Sequence, residues 1–307
     1  MLKKITYLTH KEIDQNAWDK AIDNSYNGNV YAYSFYLNTM ANNQWDALVY
    51  GNYEAVFPLV FNKKWGINYL YQPYFCQQLG LFAKNKITQS FMEQFIDAIP
   101  SKFRYWNFHL NTENTFFNHD ILFNNRTNYN LSLNNDYISI FDNYKSDAKK
   151  NIAQATLKGF SFSPNHDLKM VADVFFQTYG EHYPNNEKLS VKIIACMQLA
   201  IKKNKGFSRA IFDSDGNLWS VGFFFMSHNT IYYTIAAPTE AGKKNAATHL
   251  LIDEVIKEFS NKNLTFDFEG SDIKSVAYFY SKFGSERKFY LQITKNNLPF
   301  WCKFLKK

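Results

Sequence analysis

Cysteine is scarce in this chain. Among its 307 residues there are three cysteines, Cys76, Cys196 and Cys302, and no two of them form a CxxC pair. An odd number of widely spaced cysteines argues against a disulfide framework and against a zinc site. The seven histidines also lack HxxxH or HExxH spacing, so the sequence predicts no metal centre.

Long apolar runs are absent as well. No run approaches the ~20 residues that a helix needs to span a bilayer, so the sequence predicts no membrane span. The first seven residues lead directly into a strand-like pattern with polar residues, unlike a signal peptide. We therefore expect a cytoplasmic protein with reduced thiols.

Three common catalytic motifs are missing. The chain has no GxSxG nucleophile elbow, no P-loop and no GxGxxG run following a strand. No motif therefore supports serine-hydrolase, P-loop or dinucleotide-binding chemistry.

Aromatic residues, in contrast, are abundant, with 30 Phe and 21 Tyr. This composition favours strand-rich cores and apolar grooves, and the 46% apolar and 20% charged residues are typical of a globular protein. The net charge of +7 would suit an anionic ligand such as a nucleotide, an acyl-CoA, RNA or an anionic membrane. Because the lysines are scattered, an ordinary solvated surface is the other interpretation.

Apolar periodicity predicts strands and helices along the whole chain. The predicted strands are 5–8, 45–50, 53–61, 67–71, 105–110, 129–133, 207–212, 219–226, 230–236, 264–268 and 288–293. The predicted helices are 11–22, 33–40, 88–99, 145–159, 168–179, 188–203, 251–259 and 273–283, with a polar loop at 111–125. Ser146 or Asp147 is expected to cap the helix at 145–159, and Gly51-Asn52 to form a two-residue hairpin turn.

The two halves of the chain share one order of elements. Residues 46–110 and 209–270 each give a hairpin, a strand, a helix and a further strand. Their lengths, about 65 and about 62 residues, suit two copies of a small α/β module better than solenoid units. Coincidence among common α/β elements is the alternative.

Two runs near the C-terminus carry a family resemblance. The runs Asp267-Phe268-Glu269-Gly270-Ser271 and Tyr280-Ser281-Lys282-Phe283-Gly284 resemble segments of N-acetyltransferase-like (GNAT) acyl-transfer domains, the second matching a closing "Y-x-K-F-G" segment. The order of strands and helices from 207 to 291 is also the order expected of such a domain.

A third run resembles a narrower group, the FemAB-like acyltransferases. The helix at 145–159 is similar to their "R-x-N-I-x-x-A-x-x-x-G" helix, with Asn151, Ile152, Ala155 and Gly159 matching and lysines in place of arginines. The resemblance implies an α/β (α+β) fold of two tandem GNAT-like modules, each a mixed central sheet flanked by helices. We expect an acceptor-side module at 1–140 and a donor-side, catalytic module at 141–307.

The loop at 238–248 is the candidate donor site. Backbone N–H groups at a helix start and nearby lysines favour anions, and the resemblance implies that the pyrophosphate of a coenzyme A thioester rests there, with this thioester as co-substrate. The candidate residues are Gly242, Lys243, Lys244, Asn245 and Ala246, with Gly242 expected to add flexibility. Thr239 and Lys244 depart from the family pattern Q/R-x-x-G-x-G/A, and an ordinary solvated helix start is the alternative.

Three side chains are candidates for proton transfer. If strand alternation holds, Asp267 and Glu269 point to the same face at the end of a strand, where a carboxylate can act as a general base. The alternative is a turn-stabilising or helix-capping role, with Ser271 or Asp272 as cap. The resemblance implies that Tyr280 protonates the leaving thiolate, and packing among neighbouring aromatic residues is the alternative.

The connector after the strand at 67–71 holds the candidate acceptor residues Tyr71, Gln72, Gln77 and Gln78. It resembles the acceptor-side segment of FemAB-like proteins, and amides beside aromatic rings suit a polar substrate in a groove between the modules. Hydrogen bonds within the loop are the alternative.

The resemblance thus implies an acyltransferase that moves an acyl group from an acyl-CoA-type donor to an amine on a small molecule or a peptide. One alternative is a FemAB-like peptidyltransferase that depends on aminoacyl-tRNA, with tRNA as a partner. A non-catalytic binding protein with a GNAT fold is the other.

Overall fold

The strands predicted at 5–8, 45–50 and 67–71 and the helix at 168–179 form at those residues in the computed structural model, which describes residues 4–164 and 167–299. Cys302 lies outside the described residues. Cys76 and Cys196 are buried. Contacts group the described residues into unit 1, which contains 4–127 and 289–299, and unit 2, which contains 128–288.

Residues 4–109 form six strands and three α-helices. They are β1 (Ile5–Leu8), α1 (Gln15–Asp23), α2 (Ser34–Met40), β2 (Trp45–Tyr50), β3 (Ala55–Lys64), β4 (Ile67–Tyr71), β5 (Phe82–Ala83), α3 (Gln89–Asp97) and β6 (Phe103–His109). Short 3₁₀ turns at His10–Glu12 and Val30–Ala32 precede α1 and α2.

The remaining elements run from β7 to the last described strand. They are β7 (Leu122–Ser132), α4 (Tyr137–Asp142), α5 (Ser146–Leu157), β8 (Phe160–Pro164), α6 (Leu168–Tyr179), α7 (Asn186–Lys202), β9 (Gly206–Asp213), β10 (Leu218–Ser227), β11 (Thr230–Pro238), α8 (Glu240–Lys244), α9 (Ala247–Phe259), β12 (Thr265–Asp267), α10 (Lys274–Ser281) and β13 (Glu286–Asn296).

Each unit is built on a mixed sheet. In unit 1 the strand order is β1-β2-β3-β4-β6-β13, with β5 added to β3, and β4 and β6 pair in parallel. In unit 2 the order is β7-β12-β11-β10-β9-β8, and β11 and β12 pair in parallel. Both sheets join the third strand of an antiparallel meander to the strand after a helix. The predicted α/β class with mixed sheets flanked by helices is confirmed.

The last strand pairs differently from the expectation. The division expected at 140/141 assigned everything after it to the second module. In the structure Gln292 of β13 pairs with His109 of β6, whereas Asn130 of β7 pairs with Asp267 of β12. The unit boundary falls at 127/128, and the chain returns to unit 1 at Phe289.

Three local predictions are wrong. The loop predicted at 111–125 gives way to β7 at Leu122. The turn at Gly51 spans four residues, 51–54, and Glu54 N–H bonds the carbonyl of Tyr50. Helix α5 begins after Lys145 without a side-chain cap, because Asp147 instead forms an ion pair of 2.7 Å with Lys282.

Helix α9 packs one apolar face into the core of unit 2. Leu251, Ile252, Val255 and Ile256 are completely buried in the core of unit 2. Burying a side chain of this size is worth about 1.5–3 kcal/mol, so these residues hold α9 against the sheet. That packing positions the start of α9 next to the end of β11.

Candidate functional site

Unit 2 contains an open cavity of about 910 Å³. Its walls come from α5, α6, β11, the turn between α8 and α9, and α10. A volume of this size matches pockets that bind cofactors and small molecules. The polar lining residues include Asn151, Lys158, Thr178, Tyr179, His182, Tyr183, Tyr233, Thr234, Lys243, Lys244, Asn245, Thr248, His249 and Tyr280.

The cavity opens where β11 and β12 part. The two strands pair only from Thr230 to Tyr232 of β11, and β12 ends at Asp267 while β11 continues to Pro238. Thr234 is an extra residue in β11, because Tyr233 pairs with Phe224 and Ile235 with Phe223. A β-bulge of this kind re-aims side chains next to active sites, and here Tyr233 and Thr234 both line the cavity.

Glu269 lies directly behind this bulge. Thr234 Oγ1 donates a hydrogen bond of 3.2 Å to Glu269 Oε1. The backbone of Glu269 is left-handed, with φ of +65°, a conformation that is uncommon outside glycine. Burial raises the pKa of the Glu269 carboxyl to about 8, so near neutral pH the carboxyl is poised to gain or lose a proton.

Asp267 has a different environment. It is 5% exposed, whereas Glu269 is partly exposed, and neither residue belongs to the cavity lining. Its Oδ1 accepts a hydrogen bond of 2.8 Å from the backbone N–H of Glu269, and its Oδ2 accepts one of 2.9 Å from Asn128. Burial raises its pKa to about 6. Because β12 ends at Asp267, strand alternation does not extend to Glu269, and Asp267 holds the turn that presents Glu269.

Tyr280 lines the cavity from α10. Its ring lies 5.3 Å from that of Phe268 and 6.3 Å from that of Tyr233. Burial, followed by the charge of Glu269, raises the pKa of its phenol. Because its pKa is raised, the phenol stays protonated near neutral pH. Its hydroxyl makes no hydrogen bond to any described residue and is therefore available to donate one.

Further aromatic side chains surround Tyr280. Tyr179 and Tyr183 each stack near Phe175, with ring centroids at 5.4 and 5.8 Å, and all three line the cavity. Burial raises the pKa of Tyr233 and of Tyr179. This part of the cavity is an apolar wall with neutral phenol groups, which suits a ligand segment that carries few charges.

The start of α9 also faces the cavity. Ala246 stands before it with φ of +54°, and no side chain caps the helix. The N–H groups of Ala247 and Thr248 bond no described residue, and the next two bond the carbonyl of Ala246. Unpaired N–H groups at a helix start bind anions, and Ala246 and Thr248 belong to the lining.

Lysines stand beside this helix start. Lys243 and Lys244 line the cavity and form no ion pair with a described residue. Lys158 of α5 donates a hydrogen bond of 2.6 Å to Asn245 Oδ1. Three positive charges and an uncapped helix start therefore share one part of the cavity, which would attract phosphate groups.

Gly242 does not supply the expected flexibility to the loop. It is buried inside α8 and absent from the cavity lining. A Cβ at this position would lie 1.7 Å from the carbonyl oxygen of Trp219. Its N–H donates a hydrogen bond to Thr239 Oγ1. The glycine thus permits close packing of α8 against β10, which sets the position of the lysines that follow it.

His249 occupies the third position of α9 and also lines the cavity. Its Nε2 lies 3.2 Å from the amide nitrogen of Asn151 on α5. Its ring contacts that of Phe279, with centroids 4.9 Å apart. Burial, followed by the charge of Lys282, lowers the pKa of His249 to about 4, so the imidazole is neutral at pH 7.

The candidate acceptor residues lie in unit 1, outside this cavity. Gln72 donates a hydrogen bond of 2.5 Å to the carbonyl of Cys76 and accepts one from the N–H of His109. Gln78 accepts a hydrogen bond from the N–H of Thr112. Gln77 accepts from Gln78. Burial raises the pKa of Tyr71 to about 12. The amides are engaged in holding the connector to the end of β6, as the loop interpretation describes.

The structure thus brings together Lys243, Lys244, Asn245, Ala246 and Tyr280 around one cavity, with Glu269 behind Thr234. Sequence reasoning did not assign roles to Asn151, Lys158, Thr234, Tyr179, Tyr183, Tyr233 or His249. The spacing of Asn151, Gln154 and Lys158 on one helical face was a usable signal. No sequence signal pointed to the bulge at Thr234.

No cluster of His, Cys, Asp or Glu within the described residues is arranged to hold a metal ion. Among the described helices, none combines the length and the apolarity that crossing a membrane requires.

The chain matches no family model, and no curated protein matches its sequence. Solved structures do resemble it. FemX superimposes with a TM-score of 0.68 at 10% identity, over 95% of this chain and 97% of FemX. A conserved protein of unknown function from Bacteroides thetaiotaomicron gives 0.59 at 9% identity, over 95% and 99% of the two chains.

A third structure is the C-terminal domain of a putative lysylphosphatidylglycerol synthetase from Agrobacterium fabrum. It superimposes with a TM-score of 0.59 at 7% identity, over 95% of this chain and 94% of that domain. Similarity at this level of identity concerns the fold, and in each case it extends over nearly the whole chain. The protein therefore has the fold of FemX.

Proposed function

We propose that this protein is an acyltransferase that moves an acyl group from an acyl-CoA-type thioester to an amine. The observation that supports the proposal most is the composition of one cavity. Lysines and an uncapped helix start lie in one part of it, and Tyr280 and Thr234 lie in another, where Thr234 donates a hydrogen bond to Glu269 behind the lining. A donor with a phosphate end and an uncharged reactive end has this same polarity.

In this proposal Glu269 is the general base. An acceptor amine enters as an ammonium ion, whose positive charge favours the carboxylate of Glu269. The carboxylate takes one proton, the nitrogen lone pair forms the C–N bond, and the C–S bond breaks with its electron pair going to sulfur. The second proton leaves the nitrogen and ends on the thiolate, so the products are an amide and a thiol.

Tyr280 stabilises the departing sulfur. Burial raises its pKa, so its phenol is a hydrogen-bond donor rather than an acid that ionises readily. A donor in this position lowers the cost of negative charge on sulfur while the bond breaks. The Thr234 hydroxyl positions Glu269, the base that takes a proton from the acceptor amine.

The FemAB-like fold supports a second donor, an aminoacyl-tRNA. The aminoacyl ester would take the place of the thioester, and the lysines would contact phosphates of the tRNA end. The similarity to FemX and to the putative lysylphosphatidylglycerol synthetase domain favours this alternative. A non-catalytic protein with the same cavity would bind a donor and not convert it.

A donor panel tests these proposals. Purified protein is incubated with acyl-CoA thioesters and amine acceptors, and free thiol is measured. Parallel reactions use aminoacyl-tRNA, and release of the amino acid is measured. Thiol release that requires an amine supports the first proposal, whereas transfer from aminoacyl-tRNA alone supports the second. Binding of a donor without turnover of any donor contradicts both and supports the non-catalytic alternative.

A further inference from the structure

His249 stands between the two parts of the cavity. It is two residues beyond Ala247, where α9 begins. On its other side its ring contacts Phe279, the residue before Tyr280. A donor that runs from the helix start to Tyr280 therefore passes this imidazole between its phosphate end and its reactive end.

One ring nitrogen of His249 is engaged and the other is available. The amide nitrogen of Asn151 lies 3.2 Å from Nε2, so the amide donates and Nε2 accepts. A neutral imidazole with Nε2 as acceptor carries its proton on Nδ1. Nδ1 bonds no described residue, and the ring lines the cavity.

Burial is the main reason that this ring is neutral, because it lowers the pKa of His249. Lys282, which follows α10, lowers this pKa further, whereas Asp147 of α5 raises it. These two form an ion pair with each other at 2.7 Å. The other charged or titratable groups that line the cavity are Lys158 at the end of α5, Glu181 and His182 after α6, Lys243 and Lys244 on α8, and the phenols of Tyr179, Tyr183, Tyr233 and Tyr280.

We infer that His249, oriented by Asn151, donates a hydrogen bond from Nδ1 to an uncharged amide carbonyl in the arm of the donor, and thereby selects donors with a pantetheine-type arm. The inference rests on the proposed acyl-thioester function. A pantetheine arm joins a phosphate to a thioester through two amide groups. The uncharged Nδ1–H group suits an amide oxygen as hydrogen-bond acceptor, whereas the positively charged lysines at the helix start suit the phosphates.

The first test concerns the tautomer and needs no turnover. Two-bond ¹H–¹⁵N correlation spectra of the full chain, labelled in histidine, distinguish an Nδ1–H from an Nε2–H imidazole. We expect the Nδ1–H form for His249 at pH 7, with assignment from the spectrum of His249→Asn. Asn151→Asp places a carboxylate beside Nε2 and should shift the proton to Nε2. An Nε2–H form in the unsubstituted protein overturns the inference.

The second test crosses variants with donors of different length. The donors are acetyl-CoA, S-acetyl-pantetheine, and S-acetyl-2-mercaptoethanol, which has no amide. His249→Leu should lower kcat/KM about 3- to 10-fold for the first two, the effect of one neutral hydrogen bond, and leave the third unchanged. His249→Asn, which keeps an amide near Nδ1, should restore most of the loss.

A Lys243→Ala/Lys244→Ala double variant is the matched control. It should lower kcat/KM for acetyl-CoA only, because the other two donors lack the pyrophosphate. Equal losses for all three donors in His249→Leu would contradict the inference and leave the proposed function standing. Turnover of no thioester would overturn both, while the tautomer measurement would still report the state of the ring. Thermal unfolding of each variant checks that it is folded.

Discussion

Thr234 and Glu269 share a hydrogen bond of 3.2 Å, and each departs from regular strand geometry. Thr234 is the bulged residue of β11, and Glu269 has a left-handed backbone just beyond β12. Strained backbone of this kind costs about 1–3 kcal/mol and is typical of functional sites. Asp267 accepts hydrogen bonds from the N–H of Glu269 and from Asn128 of β7, whereas Glu269 is bonded to Thr234, which lines the cavity, so Glu269 is the better candidate for the base.

Glu269→Gln should abolish most acyl transfer. Glutamine keeps an acceptor for Thr234 but cannot take a proton, and a general base contributes about 10²–10⁴-fold. The pKa of about 8 also predicts that kcat/KM rises with pH through about 8, because the carboxylate is the active form. The measurement is a pH–rate profile with an aromatic amine of low pKa as acceptor.

Asp267→Asn is the control for this substitution. It removes a buried charge but leaves Glu269 ionisable, so the pH dependence near 8 should survive even if the rate falls. A Glu269→Gln variant that keeps the full rate, or the same rise with pH, would exclude Glu269 as the base.

Tyr280→Phe should slow transfer by about 10-fold to 100-fold, because one hydrogen bond to the departing sulfur is lost. The effect should shrink with donors whose leaving thiol has a low pKa, since less charge on sulfur then needs stabilisation. Tyr233→Phe is the matched control, because its phenol is also buried in the cavity wall. Equal losses in both variants would indicate packing and not a role in leaving-group departure.

Lys158→Ala should weaken donor binding less than the substitution of Lys243 and Lys244 together. Lys158 bonds Asn245 and acts partly by holding the turn, whereas the other two form no ion pair with a described residue. The KM for acyl-CoA should rise with salt in the unsubstituted protein and lose part of this dependence when Lys243 and Lys244 are removed. A salt dependence unchanged by their removal would contradict the assigned anion site.

Gly242→Ala should destabilise the fold by more than about 2 kcal/mol, because its Cβ would collide with the Trp219 carbonyl and the backbone would have to move. Gly216→Ala is the control. Its Cβ would meet open space, and only its φ of +83° opposes the change, at a cost of roughly 1–2 kcal/mol. Urea unfolding of both variants measures the difference, and equal losses would argue against close packing at α8.

Asp253→Asn should remove part of the pH dependence of stability. Burial raises the pKa of Asp253 from 3.8 to about 6, so the folded state holds this proton more tightly than the unfolded state. Stability therefore falls as pH rises from about 4 to about 6 and stays reduced above that, by about 3 kcal/mol in total. Tyr137 can still donate to the asparagine oxygen. Urea unfolding between pH 4.5 and 8 should show a flatter profile for the variant.

Periodicity was a reliable guide wherever a residue's neighbours in sequence decide its environment. The apolar face of α9 and the strands of the β9–β11 meander follow from spacing alone, because burial of one face is a local pattern. The site at Lys243 and Lys244 was inferred from the family resemblance instead, and the loop expected at 238–248 contains helix α8 and the start of α9 at Ala247. The absence of a side-chain cap on α5 could not be predicted from spacing, because Asp147 forms an ion pair with Lys282, which lies 135 residues away in the sequence.

The sequence by itself determined most of the helices and strands and the mixed α/β class, and it predicted the part of the chain where an anionic donor would sit. Only the tertiary structure decided that β13 pairs with β6 and β7 with β12, that Thr234 bulges towards Glu269, and that Asn151 meets His249. These relations join residues far apart in the chain, and their energy depends on burial and approach distance. Neither quantity is contained in the order of residues along a strand or a helix.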